Sequence, residues 1–235
     1  MTSLADQDIA TMGGRLSVLT RQKLDHMLLE ELLQQLDAAT VGAGQDLVLH
    51  RIARLVFPHA FAEESVLWPE IRRVLPDGEA LTLQVEREHQ EVNELWVALE
   101  TTTPTSPGRR EVLERLVEVL RNDVRDEEDE LLPRLQDAVS VRRLRQLGAA
   151  WEAVRRTAPT RPHPVVARRP PGNALAAVPL TVIDRSRDGL DAVARRSPSL
   201  YPHAARASTG LGAVAGHVER LGVLRRGEHA ATRRG

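Results

Sequence analysis

Two pairs of ionisable residues repeat one spacing, His59-x-x-x-Glu63 and Asp123-x-x-x-Glu127, and a lone histidine, His26 or His89, precedes each pair. An α-helix turns about 100° per residue, so residues four apart share a face and can grip one centre. On helical phasing all six fall on apolar stripes. His26 aligns with Leu29, Leu33 and Leu36; His59 and Glu63 align with Ile52, Val56 and Val66. His89 aligns with Val85, Val92, Trp96 and Leu99, and Asp123 and Glu127 align with Leu113, Leu116, Leu120 and Leu131. Burying an unpaired carboxylate costs several kcal/mol, so three carboxylates in one small core call for cations. The chain has no cysteine, which excludes thiolate metal sites, iron–sulfur clusters, disulfides and cysteine nucleophiles. Imidazole with carboxylate suits iron, manganese or zinc, and six side-chain ligands suit two ions with open positions.

Taken singly, each residue has a plainer explanation. A lone histidine on a helix stripe is usually a core or boundary residue. Glu63 and Glu127 could pair with arginine, and the acidic run 123–130 could be a solvated face. Coincidence on all four helices favours the metal. His50 is about half a turn out of phase with His59 and reads as a non-ligand. Glu64 and Glu128 lie about 100° from the ligand positions, behind the ligands or at the surface.

The elements that must position these groups follow from the punctuation. Helical stretches run over about 16–39, 45–75, 79–100 and 109–137. Gly42 and Gly44, Pro76-Asp77-Gly78, and the segment from Thr101 to Gly108 separate them. Pro58 and Pro69 can kink or restart the second, and Pro133 lies near the end of the fourth. A fifth helix over about 141–156 carries Leu144, Leu147, Trp151 and Val154 at helical spacing. No stretch alternates apolar and polar residues long enough for a strand. Long amphipathic helices with short loops predict an all-α, up-down four-helix bundle with one additional helix.

At these residues the sequence resembles the hemerythrin-like, HHE cation-binding family. The likeness rests on His26; His59-Ala-Phe-Ala-Glu63-Glu64, followed by Trp68-Pro69; Glu88-His89; and Asp123-Val-Arg-Asp-Glu127-Glu128, followed by Leu132-Pro133. It covers roughly residues 15–137. The resemblance implies two non-haem iron ions, oxo- or hydroxo-bridged, with manganese or zinc as alternatives. It implies that Glu63 and Glu127 bridge the ions, with His26 and His59 mainly on one and His89 and Asp123 on the other. The implied partner is dioxygen, another small diatomic molecule, or peroxide. One residue departs from the pattern: the family's fourth histidine is Asp123 here. If it ligates, its negative charge favours the ferric state. That points away from reversible dioxygen carriage, toward a redox-responsive site or one reacting with peroxide or nitric oxide. If its short side chain cannot reach, the second ion is weakly held or absent. Three functions stay open: binding or sensing dioxygen or iron, a small di-iron oxidoreductase, and a metal-free helical interaction module. No separate acid, base or cofactor pocket supports the second.

Charge divides the chain near Thr157. Residues 1–157 carry a net −9 and residues 158–235 a net +8. We expect a metal-binding bundle over 1–157 and a basic extension over 158–235. The extension is Pro/Arg-rich, with Thr160-Arg-Pro-His-Pro164 and Arg168-Arg-Pro-Pro-Gly172 as an extended linker. Little regular structure is expected there beyond one short helix around 211–221. The basic surplus could draw nucleic acid, but Tyr201 is the only Phe, Trp or Tyr of the extension and no reading motif is present, so nucleic acid is not expected as a partner. A protein partner cannot be named. The polar N-terminus does not read as a secretory signal, and no apolar run approaches a membrane span, which makes the cytoplasm the default.

Overall fold

The computed structural model describes residues 2–197 and 199–233. Nine α-helices and no strand are present among them. Four form the bundle: α1 (Val18–Ala38), α2 (Ala43–Ala62), α4 (Gly78–Glu100) and α5 (Arg109–Asp126). Two short helices, α3 (Trp68–Val74) and α6 (Leu132–Ala138), continue α2 and α5. Helix α7 (Val141–Thr157) packs across α1 and α2, and α8 (Gly172–Arg196) pairs with α9 (Tyr201–Glu219). No helix among the described residues is long and apolar enough to cross a membrane.

The expected second and fourth helices each hold an interruption. A single π turn, Glu63–Leu67, joins α2 to α3, and a second, Glu127–Leu131, joins α5 to α6. In each, the residue before a proline donates its N–H five residues back: Trp68 to the Glu63 carbonyl, and Leu132 to the Glu127 carbonyl. The cause is in the sequence. Pro69 and Pro133 have no N–H, and their rings crowd the carbonyl of the preceding turn. The helix widens for one turn and restarts with proline in the first turn of the next helix. Both widened turns begin at the glutamates that the sequence singles out. Pro58, inside α2, does not end it.

The bundle core is split along its axis. One apolar cluster gathers Leu29, Leu33, Leu36, Ile52, Trp96, Leu116 and Leu120. The other gathers Leu19, Leu67, Trp68, Ile71, Val85, Leu131 and Trp151. On every bundle helix the ionisable residues fall between the two, with His26 between Leu19 and Leu29 and Glu127 between Leu120 and Leu131. Helix α7 closes the second cluster. Its Gly148 permits close approach to α1, since a Cβ there would sit 2.2 Å from the Leu16 carbonyl oxygen.

The extension corrects the expectation of little structure. Helices α8 and α9 are 25 and 19 residues long and pack on each other around Ala176, Leu180 and Ala215. The linker before them lies along the seam between α2 and α4. The His163 N–H donates to Asn93 Oδ1 at 3.0 Å, and Gln90 Nε2 donates to the Pro164 carbonyl at 3.2 Å. Arg169 grips the fully buried Glu86 at 2.7 Å and Glu79 at 2.7 Å. The basic extension thus lies against the acidic bundle.

His163 pins the linker to the hairpin. Its Nε2 lies 3.0 Å from Asp184 Oδ2 and its Nδ1 2.9 Å from Glu219 Oε1. Arg161, paired with Asp188 and Asp191, and Arg168, whose Nη2 donates to the His163 carbonyl, are the neighbouring cations. Burial pushes the His163 imidazole down, but the hydrogen bonds to Asp184 and Glu219 outweigh it and carry the pKa from 6.5 up to about 9. A raised folded-state pKa contributes stability that is complete below 6.5 and lost as pH rises through about 9. The melting temperature should therefore fall between neutral pH and pH about 10, and His163→Gln should flatten that dependence. A His163→Gln chain that keeps the full slope would show that the pin does not contribute.

Candidate metal centre

The six predicted residues converge in the polar layer. Suitably placed atoms of His26, His59, Glu63 and Glu127 lie within 4.8 Å of one another, and so do atoms of His89, Asp123 and Glu127. Glu127 belongs to both groups, so the two share an edge. Asp123 therefore reaches the centre despite its short side chain. His50 belongs to neither group.

All three imidazoles adopt one orientation. Each turns Nε2 inward: His26 Nε2 is 3.2 Å from Glu127 Oε2, His59 Nε2 is 3.0 Å from Glu63 Oε1, and His89 Nε2 is 3.5 Å from Asp123 Oδ1. Each Nδ1 meets a carboxylate outside the centre: Glu128 at 2.9 Å for His26, Asp25 at 3.1 Å for His59, and Glu64 at 2.9 Å for His89. A carboxylate on Nδ1 holds a proton on that side, so that the ring, when neutral, presents its Nε2 lone pair inward. Glu64 and Glu128 thus stand behind His89 and His26. Asp25 was missed, because its partner lies on another helix and periodicity carries no sign of it. Trp151 meets the His59 ring edge-on at 5.2 Å, and Trp68 stacks near His89 at 6.2 Å. Gln22, one turn before His26, is fully buried with neither amide atom hydrogen-bonded; only its place on the His26 face could have pointed to it.

The layer is rich in charge and poor in hydrogen bonds. Glu63 and Glu127 are 0% and 1% exposed. Both Glu63 oxygens, Asp123 Oδ1, Glu127 Oε1 and His89 Nε2 are buried without a hydrogen bond of good geometry. Burial and the Glu127 charge raise the Glu63 pKa, and burial raises that of Asp123. Burial opposes charge on the imidazoles too, but Glu127 and Glu128 carry His26 up to about 9, and Asp123 and Glu64 carry His89 up to about 10. Burial and the Asp126 charge push Glu88, a hydrogen-bond partner of Asp123, up to about 7. Donor atoms buried together without hydrogen bonds are what a cation site requires and a core otherwise avoids. Nitrogen and oxygen donors without sulfur fit iron, manganese or zinc.

Comparison with known proteins agrees with this geometry. The Hemerythrin HHE cation binding domain matches residues 17–135. An uncharacterized hemerythrin-like protein of Schizosaccharomyces pombe is 24% identical over 172 residues, covering 71% of this chain and 83% of that protein. A DNA nickase of Nostoc sp. is 23% identical over 133 residues, covering 57% of this chain and 37% of the nickase. No solved structure matches. The matched span includes all four bundle helices and every residue of the two groups, and the chain belongs to the hemerythrin HHE cation-binding domain family.

Proposed function

We propose that the chain binds two non-haem iron ions in the polar layer and uses them to bind or sense dioxygen or a related small oxidant. The observation that carries this is the pair of donor groups sharing Glu127, with five buried donor atoms lacking hydrogen bonds. When bound, the iron supplies redox chemistry and open coordination positions that the side chains lack. His26 and His59 would hold one ion and His89 and Asp123 the other, and Glu63 and Glu127 would serve both; Glu63 faces His59 Nε2 at 3.0 Å through Oε1 and His89 Nε2 at 3.7 Å through Oε2. Asp25, Glu64 and Glu128 fix the rings through Nδ1, and the two apolar clusters exclude water from either end. Asp123 adds a negative charge on the His89 side and favours the higher oxidation state. That suits a responsive site better than a carrier. Turnover of peroxide or nitric oxide would mark an enzyme instead, and the site works in the cytoplasm on this proposal.

Metal analysis tests the proposal directly. Iron-supplied protein should carry close to two irons per chain, and Glu63→Ala and Glu127→Ala should lose most of it while His50→Ala keeps it. Metal that binds only the folded chain stabilises it, so chelation should lower the melting temperature by several degrees. Chains free of metal under every iron supply would overturn the proposal.

The ring-orienting carboxylates should act more weakly than ligands. Asp25→Ala, Glu64→Ala or Glu128→Ala should weaken metal binding by roughly 10–100-fold without abolishing it. Complete loss of metal would make the altered residue a ligand, and unchanged affinity would mean that packing alone holds the ring.

Asp123→His restores the family's residue and should raise the reduction potential while slowing autoxidation. The measurement requires iron to remain at two per chain. A potential unmoved or lowered in that loaded variant would remove Asp123 from the ligand set.

A further inference from the structure

The bundle has two seams that correspond under its internal repeat. The repeat pairs α1 with α4 and α2 with α5, because a lone histidine lies on the first of each pair and a pair ending in glutamate on the second. It therefore matches the α2/α4 seam with the α1/α5 seam, Glu64 with Glu128, and His89 with His26. The two seams differ in what covers them.

The α2/α4 seam is sealed by the chain itself. Pro159, His163, Val166 and Arg168 fill it beside Phe61 and Glu64, leaving a space of about 30 Å³. Arg168 Nη1 lies 3.7 Å from Glu64 Oε1, and the Glu64 side chain is 1% exposed. The α1/α5 seam is covered only in part, where the N-terminal turn Leu4–Asp6 packs on α1 and on the widened turn Glu127–Leu131. A cleft of about 400 Å³ reaches His26 and Glu128 there, walled by Leu29, Leu33, Leu120 and Val124, with Ala5 at its margin. The Glu128 side chain is 12% exposed. Farther along the same seam lies a cleft of about 870 Å³ that shares Leu33, Arg121 and Arg125 with the first. One ion pair straps the seam: Arg121 Nε and Nη2 donate to the two Glu30 oxygens, each at 3.1 Å.

We propose that the α1/α5 cleft is the route by which small molecules reach the centre, arriving on the His26 side, and that the extension restricts them to it by filling the equivalent seam. The inference rests on the metal-centre proposal above. The cleft's apolar walls suit small neutral molecules such as dioxygen or nitric oxide, which lose little on leaving water. The Glu30–Arg121 strap crosses an exposed mouth, where an ion pair is weak enough to open and close. On this proposal ligand arrives beside His26, while the sealed α2/α4 seam closes the corresponding way to His89.

Azide, a small anion that reports on ferric iron by its absorption, tests the route in the full iron-loaded chain. Ala5→Trp narrows the cleft from a surface position, and the double change Glu30→Gln with Arg121→Gln removes the ion-pair strap without altering the net charge at the mouth. Azide association should slow several-fold in the first and quicken several-fold in the second, with iron per chain and melting temperature unchanged. Release of iron to a small chelator should follow the same order. Equal rates in wild type and both variants would overturn the route. Slowing in both would also overturn it, because opening the mouth cannot hinder entry. An unaltered chain that takes up no metal would instead overturn the metal-centre proposal, and the route with it. Metal retained with unmoved rates would remove the route alone.

Discussion

The carboxylates of Glu63, Asp123 and Glu127 meet in one layer of the core, Glu63 and Glu127 buried and Asp123 partly so, where few hydrogen bonds are available. Such a layer is costly. Without another cation, the charge is balanced by the imidazoles of His26, His59 and His89, each of which burial alone would hold neutral. The rest of the fold reflects this requirement. Apolar clusters lie on both sides of the layer, and four helices each deliver one or two charged groups to it. Carboxylates hold the outer nitrogen of each ring. A purely apolar layer would pack more cheaply, so what the arrangement gains lies in what the layer can hold and not in the stability of the metal-free chain.

The two π turns belong to the same design. A regular helix running into Pro69 or Pro133 would leave a strained carbonyl one turn earlier. Widening the turn removes the strain and changes the direction of the side chains within it. Because the widened turns start at Glu63 and Glu127, the proline six positions on sets the local geometry of the very glutamates that converge at the centre. Substitution at either proline would therefore be felt at the layer through backbone register, although neither side chain has a donor or acceptor to offer a cation.

Much of this was legible in the sequence, for identifiable reasons. The bundle helices declare themselves because each has a wide apolar stripe, and the six site residues because they are the polar breaks in those stripes. Phasing alone also separated His50 from His59. What escaped depended on pairing between helices. Asp25 gives no periodic sign, and only the fold brings it to His59. The proline signals gave interruptions but not their form. The extension was misjudged because α8 and α9 carry glycine and proline and bury narrow faces of small residues. On α8 that face is Gly172, Asn173, Ala176, Leu180, Asp184 and Asp188, so three of its six members are polar and two of those are acidic. Asp184 and Asp188 are buried by Thr160, Arg161 and His163 of the linker, partners that a search for apolar periodicity cannot register.

The internal repeat makes the two halves of the centre near equivalents, and two features break that equivalence on the same side. Asp123 stands where the family has histidine, next to His89. The extension covers the seam outside His89 and brings Arg168 toward Glu64. The added negative charge and the added positive charge lie on opposite faces of the same imidazole. An anion on the inner side favours a more highly charged cation there, while a cation behind Glu64 makes that carboxylate a weaker acceptor from Nδ1 and so lowers the donor strength of Nε2. The two effects oppose each other at His89. The extension is thus more than a cover: it sets a cation 3.7 Å from the carboxylate that meets His89 Nδ1.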